Sequence, residues 1–424
     1  MKKNTTSEVT TVSPQRTHIV ILGGGFGGVH TYKSLPRWVK NTCDITMVDK
    51  RNHFLFTPLL AELAGSSLQK HHVALPIVDV LGTSAEFIQD EIISIDAQNN
   101  NVTLKEHDQI SYDFLVSALG ANTFFYGTPG AQEHARVFKS LQDAIDLKNR
   151  CIDIFQQASE LNDKQKQKEL LTFMVIGGGP TGVEVVTEIA ELMFGTLLKK
   201  YDNINKEDVS ITVVNGGETI LQMFDTKLSH YAEKSLIKEN ITLRNNVRII
   251  ELKKSSAITK DGEEIFAHTI LWTAGVSAID LNCSCGTFKK ERGRIHISKD
   301  MRAMGSDNVF VLGDMALFPT EDGRGLPMTA QVARQQGQQT AKNITALIQG
   351  KTTKDFAYKQ KGLLASLGSF NAIGQVSGMK FTGLFAWIIW RGVYLALFDS
   401  WKKRFSIMGE WFKNLFTKRD INRF

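Results

Sequence analysis

Glycine spacing is the most chemically pointed feature of this chain. Gly23-x-Gly25-x-x-Gly28 follows the apolar run 18–22, and Gly177-x-Gly179-x-x-Gly182 follows the equally apolar run 172–176. In each cluster the first glycine permits a tight turn and the second lets the backbone approach a pyrophosphate. The third lets the next helix lie close on its strand, and that helix's N-terminus offers free N–H groups to phosphate. The spacing therefore predicts two dinucleotide cradles. After the first, the run 45–48 ends at Asp49, placed to accept from both ribose hydroxyls; Phe26 and Lys50 are assigned to the same site. After the second, whose helix opens on Pro180 and Thr181, the run 209–214 ends at Asn215. A carboxylate there would repel a 2′-phosphate, whereas an amide can donate to one. With Glu218 three residues on as a partial substitute, NADH and NADPH both stay open.

These residues need a scaffold, and the chain supplies it twice. Each glycine cluster sits in a strand–turn–helix–strand pattern, the copies 154 residues apart (177 − 23). That is the βαβ unit of a doubly wound parallel sheet. Taken alone, the repeat is read either as two live nucleotide sites or as one duplication with a dead copy. Alternating strands at 86–95, 101–104 and 114–117 read as an antiparallel excursion from the first unit. The runs 241–243, 247–252, 257–258 and 269–273 form a similar set after the second. A buried strand is expected within 307–313, ending at Gly313-Asp314, and a helix from about 329 to 348. Gln331 and Gln335 lie four apart on that helix, hence on one face.

Composition agrees with a multidomain globular protein: 424 residues, 42 % hydrophobic, 22 % charged, 34 Gly and only 8 Pro. Residues 1–16 are polar, without a signal-like apolar run, and are expected to form a disordered tail. Four cysteines do not make a disulfide framework here. The Cys283-x-Cys285 pair lacks the second pair or clustered His of a zinc site, so no metal is expected.

The motifs resemble those of the type II NADH dehydrogenases, single-subunit NAD(P)H:quinone oxidoreductases among the two-dinucleotide flavoproteins. The likeness rests on the first glycine cluster with Asp49, on 52–60 (Asn-His-Phe-Leu-Phe-Thr-Pro-Leu-Leu), on 178–184 (Gly-Gly-Pro-Thr-Gly-Val-Glu) and on 272–275 (Trp-Thr-Ala-Gly). It continues through 311–314 (Val-Leu-Gly-Asp) to 330–335, which fits the family's Ala-Gln-x-Ala-x-Gln quinone motif. The resemblance implies FAD as cofactor, NADH or NADPH as donor, and a membrane quinone (ubiquinone or menaquinone) as acceptor. By the same resemblance Asp314, with Gly313, holds the flavin's ribityl chain, and Thr57, Pro58 and Leu59 line its ring. Gly120 belongs to a flavin-side loop and Gly275 to the nicotinamide site. Gln331 and Gln335 stand where flavin and quinone meet, and Glu184 helps relay protons. Asn215, in place of the usual acid, departs from the family pattern.

The architecture expected is α/β, with two Rossmann-like dinucleotide-binding domains, one inserted in the other. Residues 17–120 and 285–345 would hold FAD, 121–284 would hold NAD(P)H, and 346–424 would form a C-terminal membrane-anchoring region. In that last region, 380–424 carries nine Lys or Arg against three acids, which accounts for the chain's whole formal charge of +6. The apolar run 381–398 is interrupted by Arg391 and Gly392 and is too short to span a bilayer. Beyond it, Trp401, Phe405, Met408, Phe412, Leu415 and Phe416 share one helical face and Lys402, Lys403, Glu410 and Lys413 the other, the pattern of a helix lying in a bilayer interface. A peripheral protein on the cytoplasmic membrane face, homodimeric and without nucleic-acid partner, is expected. A sulfide:quinone oxidoreductase and a non-catalytic NAD(P)H-sensing flavoprotein are the alternatives. The first would need a cysteine pair at the flavin; the second would not need the Gln331/Gln335 motif.

Overall fold

The computed structural model describes residues 16–280, 288–398, 400–414, 416–417 and 419–423, with the backbone alone of 282–283. The chain forms two compact units: 1–52 with 77–120 and 279–358, and 53–76 with 121–278 and 359–424. The segment 53–76, which the sequence reading kept with the first glycine cluster, thus belongs to the second unit.

The first unit is built on a five-stranded parallel sheet in the order Val309–Val311, Phe114–Ser117, His18–Leu22, Asp44–Asp49, Glu86–Gln89. Its central strand buries Ile19, Val20, Ile21 and Leu22 completely, as a parallel strand covered on both faces requires. Helix Phe26–Ser34 crosses from the first strand to the second, and helix Ala330–Ile348 packs along it. Gly337 sets the separation of those helices, since a Cβ there would stand 2.5 Å from the Gly27 carbonyl oxygen. Small sheets at 92–96, 101–104 and 110–111, and at 290–291, 294–296 and 316–317, flank this core.

The second unit repeats the plan: Arg136–Val137, Thr269–Trp272, Thr172–Ile176, Ser210–Val214, Ile241–Arg244, again all parallel. It adds an antiparallel three-stranded sheet at 249–253, 256–259 and 264–266, and another at 363–366, 372–376 and 379–382. Helices Gly383–Ala396 and Trp401–Lys413 close the chain.

Several expectations change. The strands at 114–117, 241–244 and 269–272 belong to the parallel sheets, not to antiparallel excursions. The run 86–95 is two strands, Glu86–Gln89 in the parallel sheet and Ile92–Asp96 outside it. Alternation within a strand reports which faces are buried, not the direction of its neighbour, so the sequence did not separate these cases. Residues 1–15 lie outside the described residues, but Arg16 is anchored: it donates to the carbonyls of Asn41, Thr42 and Cys43 and pairs with Asp44 at 3.2 Å. Among the described residues no helix is long and apolar enough to cross a membrane.

Candidate active site

In the first unit the backbone turns at Gly23 with φ +101°, where a Cβ would also meet the Ala118 carbonyl oxygen at 2.5 Å. A Cβ on Gly28 would run into the carbonyl oxygen of Gly23. Gly25 is different: it caps helix Phe26–Ser34, and a Cβ there meets nothing within 4 Å. Turn and helix packing thus exclude side chains at two glycines, while the third borders open space at a helix N-terminus. That is the cradle a pyrophosphate needs. Asp49 is buried at its strand's end; Oδ2 accepts from Gly24 N at 2.7 Å and Oδ1 from Arg51 N at 2.8 Å. Phe26 is half-buried and stacks on His30, and Lys50 is exposed.

The flavin-side residues expected in this unit fall on three neighbouring elements. Gly120 follows the strand Phe114–Ser117 with φ +79° and open space at its Cβ position. Gly313, φ +63°, and half-buried Asp314 form a turn directly after the strand Val309–Val311. Gln331 and Gln335, both half-buried, lie in the first turns of helix Ala330–Ile348, and Tyr358 Oη donates to Gln331 Oε1 at 3.3 Å. Buried Gln336, which the sequence reading missed, holds the turn in place: its Oε1 accepts from Gly313 N at 2.7 Å. The glutamine next to the recognised pair was the available signal.

In the second unit Gly177, φ +117°, turns against Ala274, and Gly182 leaves no room for a Cβ before the Gly177 carbonyl. Gly179 caps the helix Pro180–Ala190 with open space before it; Pro180 is half-buried and Thr181 exposed. Gly275 lies under Tyr126, whose hydroxyl donates to Ala274 O at 3.3 Å. Asn215 corrects an expectation. Its Nδ2 donates to the carbonyls of Gly217 (3.1 Å) and Thr219 (2.9 Å) and to Asn245 Oδ1 (3.1 Å). Two amide hydrogens already serve three acceptors of its own loop, so this group is not a ready donor to a 2′-phosphate.

The same unit carries Thr57, Pro58 and Leu59 on a short 3-10 turn, exposed, half-buried and buried in that order. Helix Leu60–Ala64 follows and buries Glu62. Glu184 lies one turn into the helix Pro180–Ala190, and its Oε1 accepts from Ser366 N at 3.1 Å. Burial pushes its carboxyl up to about 8, with neighbouring Glu62 and Glu188 adding to the effect; the Ser366 N–H and the Trp390 indole oppose it. Glu184 is therefore mostly a neutral acid at pH 7. The buried Glu188 is one turn on: its Oε2 accepts from Ser67 Oγ at 2.6 Å and pairs with Arg419 Nη1 at 2.8 Å. Desolvation pushes it up to about 7 even so. Cys43 and Cys151 are buried free thiols, and burial pushes Cys151 up to about 12, which suits packing rather than redox chemistry. Cys285 and the Cys283 side chain lie outside the described residues. Among those described, no group of His, Cys, Asp or Glu is arranged to hold a metal.

The pyridine nucleotide-disulphide oxidoreductase family matches residues 17–337, and the NDH2 C-terminal domain matches 360–420. The type II NADH:quinone oxidoreductase Ndh of Mycobacterium tuberculosis is 30 % identical over 420 residues, covering 95 % of this chain and 89 % of that protein. This chain belongs to the type II NADH:quinone oxidoreductases. The member from Staphylococcus aureus is 32 % identical over 380 residues, covering 88 % of this chain and 92 % of its own. In fold, the chain matches the NDH2 of Plasmodium falciparum, solved in complex with NADH, with a TM-score of 0.89 at 21 % identity, over 96 % of this chain and 100 % of that one. The two Rossmann-like sheets and the C-terminal helices agree with the α/β class expected from the sequence.

What sequence reasoning missed lies in the last region. Glu62 accepts from Trp411 Nε1 at 2.7 Å and faces Arg391 at 3.8 Å; that guanidinium lies between the rings of Trp387 and Trp411, 4.1 and 4.0 Å from their centroids. Arg419 reaches Glu188, Glu191 and the Gly65 carbonyl. The family's C-terminal domain is thus also part of the wall around the carboxylates of the helix Pro180–Ala190. No local motif announces such a pairing, because the partners are more than two hundred residues apart in sequence.

Proposed function

We propose that this protein oxidises NADH with bound FAD and passes two electrons and two protons to a membrane quinone, without pumping protons. The observation that carries the reading is the pair of glycine cradles, open at Gly25 and Gly179 and closed to side chains elsewhere, in a chain of this family. The cradle at Gly23, Gly25, Gly28 and Asp49 fits FAD, and the one at Gly177, Gly179, Gly182 and Asn215 fits the nicotinamide nucleotide. When bound, FAD supplies the hydride acceptor for nicotinamide C4 and the electron source for the quinone.

The chain's own residues bind, orient and hold protons. Helix N-termini beside Gly25 and Gly179 meet pyrophosphate charge. Asp49 holds a ribose, Asp314 the ribityl chain, and Thr57, Pro58 and Leu59 the ring of the flavin. Tyr358 orients the Gln331 amide, which with Gln335 positions the quinone head group. Glu184, neutral below about pH 8, has a proton to give at Oε. Asn215 turns its amide hydrogens inward, which favours NADH over NADPH as donor.

Helix Trp401–Lys413 leaves Trp401, Phe405 and Phe412 more than 60 % exposed on one side, with Met408 and, just past the helix, Phe416 in line; Leu415 lies outside the described residues. This face suits a bilayer interface and supports peripheral attachment, for which we propose the cytoplasmic side of the membrane. We carry the homodimer as part of the same proposal. The test is anaerobic rapid mixing of vesicle-bound, flavin-loaded protein with NADH or NADPH, then quinone. Bleaching of the flavin by NADH and recovery on quinone is expected. Bleaching by sulfide alone would overturn the reading in favour of the sulfide-oxidising branch, and bleaching without recovery would favour a sensor.

A further inference from the structure

Glu184, Glu188 and Glu191 follow one another at i, i+4 and i+7 along the helix Pro180–Ala190 and its π-helical continuation Glu191–Leu197. Among the described residues, the charged and titratable groups facing this row come from three other elements. Helix Leu60–Ala64 contributes Glu62, helix Gly383–Ala396 contributes Arg391 and Tyr394, and the chain's end contributes Arg419. Among the described residues, four carboxyl groups therefore share two guanidiniums. If all were ionised the cluster would carry an excess of two negative charges in a desolvated place, so it must retain protons.

Which carboxyl keeps a proton depends on which ones are paired, and the geometry is lopsided. Among the described residues Arg391 pairs with Glu62 alone, at 3.8 Å. Arg419, with its side chain 13 % exposed, serves two: Nη1 pairs with Glu188 Oε2 at 2.8 Å and Nη2 pairs with Glu191. Nη1 also donates to the Gly65 carbonyl at 2.6 Å, and Gly65 has no side chain where Arg419 and Glu188 lie: a Cβ would come within 2.7 Å of both Arg419 Nη1 and Glu188 Cβ. Glu191 opens outward through the exposed Ser369, whose Oγ donates to it at 2.7 Å. Among the described residues Glu184 has no guanidinium partner; it accepts from the neutral Ser366 N–H.

We propose that Arg419, beyond the helix Trp401–Lys413, is a positioning residue for Glu184: by pairing with Glu188 and Glu191 it decides that a proton retained by this row sits on Glu184. Under the functional reading above, on which this rests, the C-terminal segment then does more than anchor the protein. It sets the pH range over which Glu184 has a proton to deliver to the reaction.

The test uses full-length, flavin-loaded protein in phospholipid vesicles and two readouts. Infrared difference spectra identify the carboxylic-acid C=O band of Glu184 as the band lost in Glu184→Gln, and its loss with rising pH gives a midpoint independent of turnover. The pH profile of flavin recovery on quinone gives a second midpoint. In Arg419→Gln the retained proton passes to the unpaired Glu188, and both midpoints fall by on the order of one pH unit. Arg419→Lys stays within a few tenths of wild type, and the double variant Arg419→Gln with Glu188→Gln, which also removes the orphaned carboxylate, returns toward it. An Arg419→Gln protein with both midpoints unchanged or raised overturns the proposal. If that variant does not fold, a double variant with a lowered midpoint overturns it equally. A wild type whose infrared midpoint behaves as described but whose flavin does not recover on quinone would instead overturn the functional reading.

Discussion

Replacing Gly25 and Gly337 by alanine, one at a time, separates the nucleotide cradle from the packing that builds it. Both glycines lie in the first unit and both touch the helix Phe26–Ser34, yet their surroundings are opposite. At Gly25 an added methyl meets no protein atom within 4 Å, and φ is −85°, which alanine adopts without strain. Gly25→Ala should therefore fold with a melting temperature within about a degree of wild type when both lack flavin. The methyl instead occupies the space in front of the helix N-terminus. Displacing a pyrophosphate from one charge-assisted N–H contact costs about 1.5–3 kcal/mol, roughly a 10- to 150-fold weaker FAD Kd. At Gly337 the methyl would stand 2.5 Å from the Gly27 carbonyl oxygen and 3.0 Å from Thr31 N. Ordinary carbon contacts begin near 3.4 Å, so the helices must part by about 0.9 Å, and overpacking of this kind costs about 1–3 kcal/mol. Gly337→Ala should melt several degrees lower with or without flavin. The assay is the flavin-to-protein absorbance ratio after dialysis, with thermal melts of holo- and apoprotein. Gly25→Ala protein that keeps stoichiometric FAD at wild-type affinity would refute the placement of the pyrophosphate.

Three further outcomes are expected. Asn215→Asp will raise the KM for NADH several-fold rather than improve it, because a carboxylate would face the Gly217 and Thr219 carbonyls that the amide now satisfies; an unchanged or lower KM in steady-state assays would contradict this. Glu184→Gln will raise the melting temperature more at pH 8.5 than at pH 5. The folded-state pKa of Glu184 is raised, so its proton is bound in the native state and released in the unfolded one between about 4.5 and 8. Stability from this group is then lost as pH rises through that window. A stabilisation independent of pH in calorimetry would remove the argument. Phe405→Glu with Phe412→Glu will abolish co-sedimentation with anionic vesicles and leave NADH-driven flavin bleaching intact; binding that persists would move the membrane contact elsewhere.

Local chemistry in the sequence was enough for everything decided by neighbouring residues. A tight turn needs Gly23 and Gly177, a close helix needs Gly28 and Gly182, and both requirements act within six residues, so the two glycine turns were legible. The helix 329–348 with its glutamines, and the one-sided aromatic face beginning at Trp401, follow from helical periodicity in the same way. Strand direction was not legible, because burial patterns at 114–117 or 269–272 are the same whichever way the neighbour runs. Nor was the orientation of the Asn215 amide, which is fixed by carbonyls of the following turn and by Asn245 thirty residues on. The charge economy around Glu184 was hidden altogether. Its acids come from positions 62, 184, 188 and 191 and its cations from 391 and 419. Only the folded chain brings these six groups together, and with Glu62 and Glu188 buried among them the pairing cannot be read from local spacing.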